Sequence, residues 1–215
     1  METVTFKPEA ILLLGLTGAG KTPLGDALQE RGLSGRRCFH FDFGCQLRLA
    51  SNLAPEILST SELEVINRVL RAGALLEDEQ FVIAQKLLKA FITQNNIGTA
   101  DLIIMNGLPR HLGQARALES IIAMKAVVVL DCLPEIALER IRSNAGGDRG
   151  VRVDDTIERV KKRIVLFKER TLPLIEYYRQ IRVQRIRLDV GARSTAGDLR
   201  LILAEKLRKD VFHSL

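Results

Sequence analysis

The sequence contains few of the residues that mark several large classes of protein. Its 215 residues include no tryptophan, two tyrosines and three cysteines. Aromatic residues make up only 5% and are not interleaved with basic ones, which argues against the stacking platforms that bind single-stranded nucleic acid. The cysteines (Cys38, Cys45 and Cys132) have no C-x-x-C spacing. The sequence therefore predicts neither a disulfide framework nor a cysteine zinc site, and it favours a reducing, cytoplasmic setting.

The chain also lacks long apolar runs. None approaches the ~18–20 residues of a membrane span. Residues 1–8 carry charges without a long apolar core, so no signal peptide is predicted. Apolar residues make up 47% and charged residues 27%, as in ordinary globular proteins. We expect a single compact domain that works as a monomer away from membranes.

The net charge of +6 allows two interpretations. The chain could bind nucleic acid, or its arginines could gather around a small polyanionic ligand. The low aromatic content favours the second interpretation, and RNA binding stays open as the lesser alternative.

The most specific motif lies near the start of the chain. Residues 15–22 fit G-x-x-x-x-G-K-T, the phosphate-cradling loop. The glycines permit tight backbone angles, and successive N–H groups then form an anion nest at the start of a helix. Lys21 supplies a charge for the β- and γ-phosphates, and the Thr22 hydroxyl can ligate Mg²⁺. Residues 10–14 read as a buried strand and residues 22–31 as a helix, which is the context that this loop requires.

Short apolar strands alternate with helices through the rest of the chain. Further strands are predicted at 37–43, 101–105, 126–131 and 185–189. This alternation predicts an α/β fold with five parallel strands, covered on both faces. A Ser-x-x-Glu box from Ser61 to Glu64 predicts a helix start. A second helix, capped near Asp155, is expected to reach about residue 178 and to kink or split at Pro173.

Basic side chains follow several of these strands. Ligands of such sheets bind beyond the carboxyl ends of the strands, where we expect Arg48 and Arg110 to lie. Arg110 can hold a phosphate with its planar donor fork. Residues 143–153 read as a short basic lid. The tripeptide Asp42-Phe43-Gly44 matches the metal-binding tripeptide of protein kinases, but the other kinase motifs are missing, so we interpret it as a coincidence.

With these motifs in order, the chain resembles the adenylate kinase family of nucleoside monophosphate kinases over about residues 11–207. Five segments carry the resemblance besides the phosphate loop: 44–48 (G-C-Q-L-R), 72–79 (A-G-A-L-L-E-D-E), 106–110 (N-G-L-P-R), 152–155 (R-V-D-D) and 171–178 (T-L-P-L-I-E-Y-Y). The resemblance implies a three-layer α/β/α P-loop fold. It divides the chain into a core (1–43, 74–142 and 154–215), a helical acceptor-binding insert (44–73) and a short lid (143–153).

The resemblance also implies residue roles in transfer of the ATP γ-phosphate to AMP or a related monophosphate, with Mg²⁺. For catalysis it implies Lys21, Arg110, Arg152 and Arg163. For ATP it implies Gly15, Thr17, Gly18, Ala19, Gly20, Lys21, Thr22 and Arg140. For the monophosphate it implies Gly44, Arg48, Leu76, Gly107, Arg110, Gln114, Arg152 and Arg163. For Mg²⁺ it implies Thr22, with Asn106 acting through water.

Four positions depart from the family pattern. Asn106 and Cys45 stand where the family has aspartate, Phe43 stands at a threonine position, and Asn144 stands at a hinge arginine. The leading hypothesis is a nucleoside monophosphate kinase. Two alternatives stay open: a weak or inactive nucleotide-binding relative with a sensor role, and a kinase of small metabolites on the same scaffold.

Overall fold

The computed structural model describes residues 6–50, 57–147 and 157–212. The strands in this part of the chain are β1 (Glu9–Gly15), β2 (Cys38–Asp42), β3 (Leu102–Asn106), β4 (Ala123–Asp131) and β5 (Gln184–Asp189). They form one sheet in the order β2-β3-β1-β4-β5, and all neighbouring strands are parallel. The predicted five-stranded parallel sheet is therefore confirmed.

Helices connect the strands. They are α1 (Lys21–Arg31), α2 (Phe43–Leu49), α3 (Thr60–Ala72), α4 (Phe81–Gln94), α5 (Leu112–Leu118), α6 (Pro134–Arg142), α7 (Ile157–Leu166), α8 (Pro173–Gln180) and α9 (Ala196–Phe212). A 3₁₀ turn (Asp78–Gln80) leads into α4, and a π-helical turn (Phe167–Thr171) joins α7 to α8. No helix of the described residues is both long and apolar enough to cross a membrane.

The central strand β1 divides its side chains between two hydrophobic cores. Ala10, Leu12 and Leu14 pack with buried residues of α3, α4, α5 and α8. Ile11 and Leu13 pack on the opposite face with residues of α1, α6 and α9. Alternate side chains of a strand point to opposite faces, so a strand that is apolar throughout needs helices on both sides. This confirms the three-layer α/β/α arrangement.

Two element boundaries near α3 and β4 differ from the predictions. The predicted capping box at Ser61 and Glu64 is wrong, because Ser59 and Glu62 form it instead. The Ser59 hydroxyl accepts from the Glu62 N–H at 3.3 Å, and the Glu62 carboxylate accepts from the Ser59 N–H at 2.8 Å. Two Ser-x-x-Glu patterns overlap here, and sequence spacing cannot choose between them. Strand β4 begins three residues before the predicted position 126.

The long helix predicted to end near residue 178 is split as expected. It divides into α7, the π turn and α8, and Pro173 is the first residue of α8. Proline is tolerated there because the first turn of a helix needs no N–H donor from it. The predicted cap at Asp155 lies outside the described residues.

Candidate active site

The carboxyl ends of β1, β2 and β3 open into one cleft. Predicted site residues from many parts of the chain line it: Thr17, Gly18, Gly20, Lys21, Thr22, Gly44, Arg48, Leu76, Asn106, Gly107, Arg110, Gln114, Arg140 and Arg163. Gly15 lines a smaller adjoining cavity, and Ala19 is fully buried. Arg152 lies outside the described residues, so its role stays a prediction, as does the extent of the lid.

The loop between β1 and α1 has the shape that its glycines allow. Gly18 and Gly20 both have φ of 94°, in the left-handed region that side chains disfavour. A Cβ on Gly18 would also stand 2.5 Å from the Ala137 carbonyl oxygen. Helix α1 begins directly after Gly20, which brings its first N–H groups and positive dipole end to the cleft.

The Lys21 amine lies against this loop. Its Nζ donates to the carbonyl oxygens of Gly15 at 2.8 Å and Leu16 at 3.0 Å. The two bonds hold a positive charge beside the backbone nest. Charge and nest together form the part of the cleft that suits a polyphosphate.

Arg140 is an almost fully buried arginine that supports the loop from behind. Its Nη1 donates to the carbonyls of Gly191 and Ser194, both at 2.9 Å, and its Nε donates to the Gly18 carbonyl at 3.2 Å. Its Nη2 lies 3.2 Å from the point where a Cβ on Gly20 would stand. Arg140 thus joins the phosphate loop to the segment before α9. Its direct contact with ATP stays a prediction.

Three polar side chains meet where α1 faces the ends of β2 and β3. We call Thr22, Asp42 and Asn106 the metal corner. The Thr22 hydroxyl donates to Asp42 Oδ2 at 2.8 Å, and Asn106 Nδ2 donates to the same oxygen at 3.0 Å. Asn106 Nδ2 also lies 3.1 Å from Thr22 Oγ1.

Asp42 is the residue of this corner that sequence reasoning missed. Asp42 begins the tripeptide Asp42-Phe43-Gly44, whose match to protein kinases we interpret as a coincidence. The usable signal was its position at the end of a predicted strand. In the sheet, Asp42 pairs in register with Asn106, which brings the two side chains to the same edge.

A buried histidine stands behind the metal corner. His40 Nε2 lies 3.3 Å from Asn106 Nδ2, and His40 Nδ1 lies 2.7 Å from an Asp26 carboxylate oxygen. The two nitrogens of the ring thus contact the Asp26 carboxylate on one side and the Asn106 amide on the other. Gly25 in α1 makes room for the ring, because a Cβ there would overlap it.

Cationic side chains from three other elements line the same cleft as the phosphate loop. Arg48 extends from α2, Arg110 follows β3, and Arg163 lies on α7. Burial, with a smaller effect of the neighbouring Arg163 charge, lowers the pKa of Arg110 to about 10. The guanidinium stays charged at neutral pH, and no carboxylate of a described residue forms an ion pair with it. Such a group favours an anionic ligand.

Leu76 and Gln114, the two residues predicted near the acceptor base, bond to each other, and His111 contacts the same carbonyl. We call Leu76, His111 and Gln114 the base corner. Gln114 Nε2 donates to the Leu76 carbonyl at 2.8 Å, and His111 Nε2 lies 3.1 Å from the same oxygen. Gln114 Oε1 accepts from the Arg110 N–H at 2.8 Å. Gln114 is only 1% exposed. These bonds fix the orientation of the Gln114 amide, and its role in reading adenine stays a prediction.

Helix α7 and the π turn contact the end of α3 and the segment that follows it. Lys162 Nζ donates to the Ala72 carbonyl at 3.3 Å, and Arg170 pairs with Glu77 at 2.8 Å. The Arg170 guanidinium lowers the pKa of the Glu77 carboxyl. Through these bonds, the element that carries Arg163 is fixed beside the acceptor side of the cleft.

Comparison with known sequences agrees with this geometry. A sequence model of the family described as "Adenylate kinase" matches residues 13–183. The chain belongs to the adenylate kinase family. Accordingly, it is an ATP-dependent phosphotransferase of the nucleoside monophosphate kinase type.

Individual relatives carry two different names. A uridylate kinase of Saccharomyces cerevisiae is 29% identical over 94% of this chain and 95% of its own length. An adenylate kinase of Stenotrophomonas maltophilia is 32% identical over 78% of this chain and 84% of its own length. An adenylate kinase of Prochlorococcus marinus is 27% identical over 90% of this chain and 98% of its own length. The family is therefore certain, whereas the relatives' names differ in the acceptor.

The metal corner has the chemistry that Mg²⁺ needs in this family. Mg²⁺ prefers oxygen ligands and is usually held by one or two carboxylates together with substrate phosphates. Thr22 and Asp42 supply a hydroxyl and a carboxylate beside the phosphate loop. The described residues contain no group of three acidic, histidine or cysteine side chains that could bind a metal ion by themselves. When bound with ATP, Mg²⁺ would neutralise charge on the β- and γ-phosphates.

Proposed function

We propose that this protein transfers the γ-phosphoryl group of ATP to a nucleoside monophosphate, AMP or a close relative, by in-line displacement. An oxygen of the acceptor phosphate attacks the γ-phosphorus. The bond from this phosphorus to the β–γ bridging oxygen breaks, and ADP leaves with the electron pair. No general base is needed, because the acceptor phosphate is already an anion.

One observation carries this proposal: a phosphate loop and a group of arginines share one cleft. Lys21, Arg48, Arg110 and Arg163 all line it. Phosphoryl transfer depends on alignment and on charge neutralisation rather than on a covalent intermediate. A cleft that combines a phosphate loop with several further cationic side chains suits two phosphate-bearing substrates.

A turnover assay tests the proposal. The protein is mixed with ATP, Mg²⁺ and, in turn, AMP, CMP, UMP or GMP, and ADP formation is followed. We expect turnover with at least one acceptor, above the ATP hydrolysis seen without any. Absence of turnover with all four, in protein that unfolds cooperatively on heating, would contradict the proposal and favour a nucleotide-binding relative without activity.

The setting of the protein is part of the proposal. The thiols of Cys38, Cys45 and Cys132 are free, and we propose a reducing, cytoplasmic compartment. Burial raises the pKa of Cys38 to about 11, which keeps this thiol unreactive. We further propose that the protein is a monomer, and size-exclusion chromatography with light scattering tests this.

A further inference from the structure

The metal corner contains a carboxylate at a position where the resemblance predicted none. At position 106, asparagine replaces the aspartate of the family pattern. In the structure, a negative charge is nevertheless present on the neighbouring strand. Asp42 Oδ2 accepts hydrogen bonds from both Thr22 and Asn106, which are the two residues predicted to serve Mg²⁺.

Asn106 and Asp42 are chemically complementary. An amide donates to a carboxylate, and here the Asn106 amide nitrogen lies 3.0 Å from Asp42 Oδ2. An aspartate at position 106 would instead bring a second carboxylate to this distance, and like charges so close oppose each other's ionisation. The neutral side chain at 106 is therefore the residue that a charged side chain at 42 requires.

Asp42 is also held in a fixed orientation. Its other oxygen, Oδ1, accepts from the Cys45 N–H at 2.9 Å and so caps α2. The Thr22 hydroxyl hydrogen is directed to Asp42, which presents the Thr22 oxygen as an acceptor, the role that a metal ligand needs. A carboxylate fixed at both oxygens suits the ordering of a hydrated cation better than a mobile one would.

We propose that Asp42 supplies the carboxylate that orders Mg²⁺ and its water on bound ATP, and that Asn106 positions Asp42. The metal-facing charge of the site has thus moved by one strand, from the end of β3 to the end of β2. This inference rests on the proposed function only in that ATP is the nucleotide bound. It also removes the main reason for interpreting Asn106 as a sign of lost activity.

Metal binding in the presence of nucleotide tests the inference without turnover. Mn²⁺ replaces Mg²⁺ as the probe, and its affinity is measured by electron paramagnetic resonance with the non-hydrolysable analogue AMPPNP. Asp42→Asn keeps a good helix cap but removes the charge. We expect it to weaken Mn²⁺ binding about 10- to 100-fold. The affinity for AMPPNP in EDTA should stay within twofold of the wild type or increase.

A charge swap provides the decisive comparison. In the double variant Asp42→Asn/Asn106→Asp, the carboxylate returns to β3, and Mn²⁺ affinity should recover to within about threefold of the wild type. Asp189→Asn is the matched control, because Asp189 is an exposed carboxylate at the same edge of the sheet. Asp189→Asn should leave the affinities for Mn²⁺ and AMPPNP at their wild-type values. If Asp42→Asn does not fold, Asp42→Ser replaces it, since serine also caps helices.

Three results would overturn the inference. The first is an Asp42→Asn protein that binds Mn²⁺ within twofold of the wild type. The second is a double variant as weak as the single one. The third is an equal loss of AMPPNP affinity with metal and in EDTA, which would mean that Asp42 only shapes the site. Failure of the proposed function is distinguishable, because it would appear as absent turnover with Mn²⁺ binding intact.

Discussion

The metal corner and the base corner use their polar groups differently. In the metal corner, three side chains from three elements meet around a carboxylate, and both Thr22 and Asp42 are only half-buried. In the base corner, Gln114 and His111 are buried and bond to the main chain at Leu76. One corner presents charge to the cleft, whereas the other uses its hydrogen bonds to hold its own wall together.

This difference leads to an expectation about how the two substrates are recognised. Lys21, Arg48 and Arg110 line the cleft, and under the proposed function Lys21 would meet the phosphates of ATP, and Arg48 and Arg110 the phosphate of the acceptor. On the acceptor side, the Leu76 carbonyl and the Gln114 amide are uncharged groups that bond to each other and to the Arg110 N–H, whereas the arginines carry full charges. We therefore expect the acceptor's phosphate to contribute more to binding than its base. The following predictions test this contrast, from the largest expected effect to the smallest.

Removal of the Lys21 charge should have the largest effect. Lys21→Ala should lower kcat/KM for ATP about 10³-fold, because preorganised charge at the transferring phosphoryl group is lost. The assay follows ADP formation at saturating acceptor. Lys89→Ala, on the exposed face of α4 outside the cleft, is the control and should retain full activity. Equal activity of the two variants would contradict the assignment of Lys21.

Arg110→Lys should have the next largest effect. Lysine keeps the charge but loses the planar fork, so kcat/KM for the monophosphate should fall roughly 10- to 100-fold. The affinity for an ATP analogue, measured by calorimetry, should stay within twofold. Arg116→Lys changes an exposed arginine on the nearby α5 and serves as the control. A fall no larger than that of the control would exclude Arg110 from acceptor binding.

Gln114→Met separates support of the wall from reading of the base. Loss of its hydrogen bonds leaves the Arg110 N–H without its partner and removes one donor from the Leu76 carbonyl. Unfolding in urea should show a loss of about 1–3 kcal/mol in the free energy of unfolding. Turnover with AMP, CMP, UMP and GMP should fall by similar factors. A fall of more than tenfold for AMP alone would mean that Gln114 reads adenine. Gln180→Met, exposed on α8, is the control.

Asp101→Asn should affect stability but not catalysis. Asp101 precedes β3 at the edge of the sheet away from the cleft, and it accepts from Arg37 at 2.9 and 3.0 Å and from the Gly98 N–H at 2.8 Å. We expect unchanged kcat and a loss of about 1–3 kcal/mol in the free energy of unfolding at pH 7. A changed kcat would show that the two edges of the sheet are coupled.

The stability difference at Asp101 should depend on pH. Hydrogen bonds from Arg37, then from the Gly98 N–H, lower the pKa of the Asp101 carboxyl in the folded state. Its contribution is therefore fully present above the unfolded pKa of about 3.9 and is lost as the pH falls through the lower folded-state pKa. The gap between wild type and Asp101→Asn, measured by urea unfolding, should narrow below about pH 4. A gap that stays constant down to pH 2 would contradict this account.

Much of the fold could be predicted because its signals are local. The phosphate loop needs its glycines and lysine at fixed spacing, and buried parallel strands are short apolar runs. The capping box was misplaced by two residues because Ser59 and Ser61 carry the same pattern. The predicted site residues that the structure describes lie almost all in one cleft, since parallel strands end at one edge. Arg152 and residues 148–153 of the predicted lid lie outside the described residues.

The sequence by itself determined the α/β class, the phosphate loop and the family, and it predicted arginines that the structure places in the cleft. The tertiary structure decided which side chain stands beside Asn106, one of the departures from the family pattern. Asp42 and Asn106 are far apart in the chain, and only the pairing of β2 with β3 brings them to hydrogen-bonding distance. The charge of a side chain can be read from the sequence, whereas its hydrogen-bond partner here depends on which strands are neighbours in the sheet. Taken alone, Asn106 indicates that the family's negative charge at this position is lost. Beside Asp42, the Asn106 amide is the hydrogen-bond donor to a carboxylate.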